Sequence, residues 1–302
     1  HQLCGSLPQG GASENYTPLD LSKQNLQKSL DLLGAPHYIL GGTIWSLYKL
    51  MQESSEPFRV DMVCIDEASQ MLVSHGLLAL AALKPGGRVL VAGDNRQLPP
   101  IRECQPEEMD KRRLSSSFYD FLQAAKVPEF CLDETFRLNQ VLASFPERAF
   151  YRDRYCSTGE AQSRVLALKP GWDGARYNWH RAVLDPNNVV VILLYDGHAS
   201  GTTNHFEVNV VTQLAELFHK NLDTANFWND GFAIVSPHTA QNAAIRRSLP
   251  PDLQRDCVVE TVDRIQGKER DCILASYTVS DPEFALSEAE FLFSPKRLNV
   301  MI

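Results

Sequence analysis

Short runs of valine, isoleucine and leucine, several of them ending in an acidic or small polar residue, recur along this 302-residue chain. They are His37–Gly42, Val60–Ile65 (VDMVCI), Arg88–Gly93 (RVLVAG), Asn188–Asp196 (NVVVILLYD), Phe232–Ser236 (FAIVS), Cys257–Val262 (CVVETV) and Asp271–Tyr277 (DCILASY). Runs this continuous fit strands covered on both faces, the condition of parallel sheets in α/β folds. Helical stretches lie between them. Glu207–Lys220 places Val208, Val211, Leu214 and Phe218 on one face, and a second helix from about Thr239 to Leu249 is stopped by Pro250 and Pro251. Thr17 and Pro18 read as the cap and first residue of an earlier helix that carries Leu26, Leu30 and Leu33 and closes at Gly34. Residues 1–16 are rich in Gly, Ser and Gln and show no period. The expected architecture is therefore α/β: an irregular end plus helix over 1–34, a first domain over 35–130 and a second over 131–302.

Composition excludes several classes. No apolar stretch approaches the roughly 18–20 residues needed to cross a bilayer, so no membrane partner is expected. The seven cysteines are scattered and contain no CxxC pair, which argues against a metal framework or a disulfide scaffold and for reduced thiols. The chain begins at His1, without an initiator Met or a signal region, and reads as an internal piece of a longer cytoplasmic protein, or a nuclear one in a eukaryote. A formal net charge of −8 argues against general electrostatic attraction to nucleic acid. It leaves open a local groove that grips a strand through amides and hydroxyls.

The chemistry concentrates at strand ends. Val63-Cys64-Ile65 runs directly into Asp66 and Glu67, then Ala68-Ser69-Gln70. Ligands in open α/β sheets sit at the carboxyl ends of strands. Paired acids there suit phosphoryl transfer, with Asp66 holding Mg²⁺ through its water shell and Glu67 orienting the attacking water. The plainer reading is that the pair caps the next helix. The following strand ends in Gly93-Asp94, then Asn95-Arg96-Gln97-Leu98-Pro99-Pro100. Gln97 on a proline-stiffened loop can sense a γ-phosphate by hydrogen bonding; the plainer reading is a turn chosen for geometry.

DEAS at 66–69 and GDNRQLPP at 93–100, in this order and at this distance, resemble motifs II and III of superfamily 1 helicases. The resemblance is to the group that includes the helicase of nonsense-mediated RNA decay and the nuclease-helicase of lagging-strand maturation. Leu132–Asn139 (LDETFRLN) resembles the segment that opens the second domain, which implies that Arg137 reaches a γ-phosphate; the plainer reading is a surface arginine in an ion pair. Ile234–Gln241 (IVSPHTAQ) resembles the family's TPYxxQ turn, Val259–Asp271 resembles motif V, and Pro295–Val300 resembles the start of motif VI. The resemblance implies two RecA-like parallel-sheet domains in tandem, the first incomplete, with ATP and Mg²⁺ as cofactors. It places Asp94, Gln266, Gly267, Glu269 and Arg297 among the nucleotide-binding residues. Single-stranded DNA or RNA is the implied partner, with Thr43, Pro237, His238, Thr261 and Asp263 as candidate contacts and 5′ to 3′ as the implied polarity. Trp45 and Tyr48 read as core or interface aromatics.

Two family features are missing. No GxxxxGK[ST] segment occurs, and His198–Thr203 (HASGTT) contains no Lys to replace it. The chain stops at Ile302, where the arginine that ends motif VI is expected. The parent is thus expected to be a nucleic-acid-stimulated ATPase, and these 302 residues alone to turn ATP over poorly. The rivals are a translocating ATPase that serves a fused nuclease or effector domain and a degenerate motor kept for binding. Coordinates should bring the acids, Gln97, Arg137 and Glu269 to one shared crevice.

Overall fold

A computed structural model describes residues 37–54, 57–101, 116–152, 154–172, 177–197 and 199–301. The helix expected over 17–34 lies outside them. The chain forms two compact units, and among the described residues the first runs to Asn95 and resumes over Pro99–Glu129. The second unites Arg96–Leu98 with everything from Phe130 onward.

In the first unit, helix α1 (Ile44–Glu53) starts at Thr43, whose Oγ1 accepts the Ser46 amide at 3.2 Å. The expected strand at His37–Gly42 does not form. Its Gly41-Gly42 end is entropically costly to extend, and no described strand pairs with it. Strand β1 (Val60–Ile65) is followed by helix α2 (Val73–Leu80), strand β2 (Leu83–Val91) and helix α3 (Phe118–Ala124). The two strands run parallel, in register from Met62 opposite Arg88 to Ile65 opposite Val91. β2 begins earlier than Arg88, because Leu83 pairs with Val60 and the Pro85-containing stretch between bulges out of the ladder. Pro85 has no amide to donate there.

Val63 and Ile65 pack with Ala68, Ala79 and Phe118, whereas Met62, Cys64, Val89 and Leu90 are exposed. Among the described residues this sheet is covered on one face, not on both. Phe118 is completely buried, and a Cβ built on Gly76 would lie 2.2 Å from its ring. Gly76→Ala is expected to destabilise the fold by about 1–3 kcal/mol through overpacking, outweighing a helix-propensity gain of about 1 kcal/mol. Denaturant unfolding of the variant checks this, and equal or greater stability would show that the ring yields freely.

The second unit opens with strand β3 (Glu134–Thr135), helix α4 (Gln140–Ala149) and strand β4 (Cys156–Ser157), which lies parallel to β3. Asn139 caps α4 by accepting the Leu142 amide at 2.9 Å. Next come helix α5 (Asn178–Leu184), helix α6 (His205–Asn221), strand β5 (Phe232–Val235), helix α7 (Thr239–Ser248) and helix α8 (Pro251–Gln254). Strand β6 (Val259–Glu260), helix α9 (Val262–Ile265), strand β7 (Cys272–Ala275) and helices α10 (Pro282–Ser287), α11 (Ala289–Leu292) and α12 (Pro295–Met301) complete it.

The main sheet has the order β6-β5-β7 and is parallel throughout. β5 is central, and all four of its residues are buried. The expected face of α6, with Val208, Val211, Leu214 and Phe218, packs with Phe232 and Ile234 of β5 and Ile245 of α7. Each such side chain contributes roughly 1.5–3 kcal/mol on burial.

Three expected strands change. Asp271–Tyr277 trims to β7. Cys257–Val262 shrinks to β6, because the chain turns into α9 at Val262. Asn188–Asp196 forms no strand, and Val190, Ile192 and Leu194 are exposed. An apolar run becomes a strand only beside an edge that takes its amides and carbonyls, and no described strand pairs with this one. All three sheets among the described residues are small and parallel and are combined with helices, so the fold is α/β. Among the described residues, no helix is long and apolar enough to cross a membrane.

Candidate functional site

The parallel register of β1 and β2 brings their carboxyl ends to one edge of the first unit. The Ala92 amide donates to Ile65 O at 2.8 Å, the Ala68 amide to Ala92 O at 2.9 Å, and the Asp94 amide to Ser69 Oγ at 3.3 Å. Asp66, Glu67 and Asp94 are thereby gathered at two adjacent strand tips. Gly93 permits the approach: a Cβ there would lie 2.9 Å from the Ser69 nitrogen.

Glu67 adopts a left-handed backbone (φ 52°, ψ 39°), which costs roughly 1–2 kcal/mol for a residue with a Cβ. Strain of this kind concentrates where a side chain must be aimed. Its carboxylate accepts from Gln70 Nε2 at 3.0 Å, and Asp66 Oδ1 accepts the Glu67 amide at 2.9 Å. Glu67 occupies the N-cap position of the short turn Ala68–Gln70, but its side chain makes no capping hydrogen bond there, and α2 begins only after Leu72.

The second unit gathers another group. Arg137 forms an ion pair with Glu269, and both side chains are more than half exposed. Gln266 Nε2 donates to Gln97 Oε1 at 3.2 Å. Gly267 takes φ +75° just after α9, a left-handed turn that a side chain would strain. Gln97, Arg137, Gly267, Lys268 and Asn299 line one cleft, together with Tyr151 and Tyr155. Thus Gln97, Arg137, Gln266, Gly267 and Glu269 lie in one neighbourhood of one unit. Arg297 is engaged differently: its guanidinium forks onto Asp263 at 2.6 and 3.2 Å and lies 4.1 Å from the centre of the Phe291 ring.

The candidate strand-binding residues hold ordinary structural positions. Thr43 is a helix cap, and Trp45, 62% exposed, packs edge-on against His75. Thr261 precedes α9 without a side-chain cap, and Asp263 is paired with Arg297. His238, at the start of α7 beside Pro237, is buried, and its Nε2 lies 2.8 Å from Glu288 Oε2. No group of three or more His, Cys, Asp or Glu residues that could hold a metal occurs among the described residues.

A polar network behind the TPYxxQ-like turn was not expected. Gln241, fully buried, accepts the Asn204 amide at 2.8 Å and donates to Ser276 Oγ at 2.9 Å. Glu207 accepts from the Thr278 amide at 2.9 Å and from Tyr195 Oη at 3.0 Å. Burial first, then the Glu207 charge, pushes the Tyr195 phenol up to about 12. The only local sign was the Gln three residues after His238. At the end of the motif V-like segment, burial pushes the Asp271 carboxyl up and is partly opposed by Arg164.

The AAA domain family profile matches residues 114–302, well over half of the chain. DNA polymerase alpha-associated DNA helicase A of Saccharomyces cerevisiae is 24% identical over 304 residues, covering 93% of this chain and 43% of that protein. DNA replication ATP-dependent helicase/nuclease JHS1 of Arabidopsis thaliana is 25% identical over 255 residues, covering 81% and 18%. Regulator of nonsense transcripts 1 homolog of Arabidopsis thaliana is 27% identical over 258 residues, covering 81% and 19%. The chain spans less than half the length of each of these relatives. With the profile over most of its length and such relatives over more, the chain belongs to the AAA domain family and, within it, to the superfamily 1 helicase group that its motifs resemble.

Proposed function

We propose that this chain carries part of the motor of an ATP-dependent nucleic-acid helicase or translocase, with two RecA-like domains over 35–130 and 131–302, the first incomplete because it contains no GxxxxGK[ST] segment. One observation carries the reading: Gln97, Arg137, Gln266, Gly267 and Glu269 come from three separate sequence motifs and meet around one cleft. A structural surface needs no such convergence of phosphate-reading groups. Asp66 and Glu67, the latter with a left-handed backbone, are the acids of this reading.

In this reading, water attacks the γ-phosphorus of ATP and the bond to the bridging oxygen breaks, giving ADP and inorganic phosphate. Glu67 orients that water, Gln97 hydrogen-bonds the γ-phosphate, and Arg137 offsets the charge that spreads over its oxygens. Asp66 is exposed, and one carboxylate completed by water and phosphate oxygens matches the way magnesium is usually held. Bound there, the ion supplies positive charge against the phosphates. Asp94 and Arg297 shape the surroundings of the nucleotide. The strand is held through its backbone near Thr43, Pro237, His238, Thr261 and Asp263, so movement does not depend on sequence. The relatives' names mention both DNA and nonsense transcripts, and the strand proposed here is single-stranded DNA or RNA.

The test is ATP hydrolysis by the full-length protein with and without single strands. Hydrolysis is expected to rise when a strand is added; a rate indifferent to DNA and RNA overturns the motor reading. One relative is named a helicase/nuclease, which favours a second reading, a translocase that serves a nuclease without unwinding. Strand displacement separates the two.

A further inference from the structure

Three contacts of different kinds hold Arg96–Leu98 in the second unit. Leu98 is 6% exposed and packs with Ala233, Val235, Val262 and Ile265. Gln97 accepts from Gln266. The Arg96 carbonyl accepts from Asn299 Nδ2 at 3.3 Å, and the same nitrogen donates to Tyr151 Oη at 2.9 Å. An amide nitrogen carries two hydrogens, and here both have acceptors. The Tyr151 ring is braced in turn, with its centroid 4.9 Å from that of Tyr155 and 6.4 Å from that of Phe150.

We propose that Asn299, braced by Tyr151, is the positioning residue for Gln97. The Arg96 carbonyl belongs to the peptide whose nitrogen is that of Gln97, and a peptide is planar. Fixing its oxygen fixes the nitrogen and Cα of Gln97, and so the direction in which the carboxamide is presented to the cleft. The Gln266 contact orients the far end of the same side chain. Asn299 and Tyr151 also border the cleft, but their proposed effect runs through Gln97, so the rate should suffer more than binding. The inference rests on the reading of Gln97 as the γ-phosphate sensor.

The experiment is steady-state ATP hydrolysis by the full-length protein with saturating single strands. It compares wild type with Gln97→Ala, Asn299→Ala and Tyr151→Phe, and with each of the last two combined with Gln97→Ala. Asn299→Ala is expected to lower kcat on the order of tenfold with KM for ATP near wild type, because small misplacements of a working group are costly. Tyr151→Phe should act in the same direction, more weakly. Neither should lower the rate further once Gln97 is Ala. The same loss in both backgrounds, or no loss in either single variant while Gln97→Ala is impaired, overturns the inference and leaves the motor reading intact. A Gln97→Ala protein as fast as wild type removes the sensor role itself, and the inference with it. If Asn299→Ala loses its thermal transition, Tyr151→Phe, which keeps the ring, decides.

Discussion

Glu67→Gln in the full-length protein is expected to slow ATP hydrolysis by about two to four orders of magnitude, the usual worth of a positioned general base or water-orienting acid. The substitution keeps shape and hydrogen-bonding reach, so Gln70 retains an oxygen to bond. The strained backbone of Glu67 stays as it is, since glutamine has the same Cβ. Only the negative charge that draws the water's proton is lost. Nucleotide binding should therefore survive, and the separation of rate from affinity is the decisive readout. Binding and hydrolysis lost together would make Glu67 a structural residue; hydrolysis at the wild-type rate would remove it from the chemistry.

Arg137→Ala is expected to lower kcat by about a thousandfold or more, in line with arginines that meet transferring phosphoryl groups. Stability should hardly move. The partner is Glu269, both side chains are more than half exposed, and an exposed pair of this kind contributes roughly 0.2–1 kcal/mol. A melting curve close to wild type beside a collapsed kcat is thus the expected result. Arg137→Lys should rescue little, because an ammonium cannot present the planar fork of donors. A variant with nearly wild-type kcat would return Arg137 to the status of a surface cation.

The elements legible in the sequence are those whose pattern is set by the core they enter. The α6 face from Val208 to Phe218 and the FAIV strand could be read because burial on one stripe or on both faces demands those residues. Asn188–Asp196 misled for the complementary reason: an apolar composition says nothing about whether an unpaired edge is on hand. The bulge at Pro85 and the shortening of β6 depend on the partner strand and on where a helix starts, which the run of side chains alone does not encode.

The same division runs through the site. Asp66, Glu67 and Gln97 stood out because each follows an expected strand, and Arg137 because it lies in a segment that resembles a family motif. The Asn299–Tyr151 bond joins residues 148 positions apart and left no local trace. The Arg297–Asp263 fork spans 34 positions and was hidden in the same way. Distant hydrogen bonds are written into a fold only after topology has brought the chain together.

Leu98 imposes a constraint on anyone who would study the halves separately. It is threaded from the far side of the natural cut near residue 130, yet it fills a slot lined by Ala233, Val235, Val262 and Ile265. A back half expressed alone would inherit a hollow there, and with it a weakness that says nothing about the intact protein.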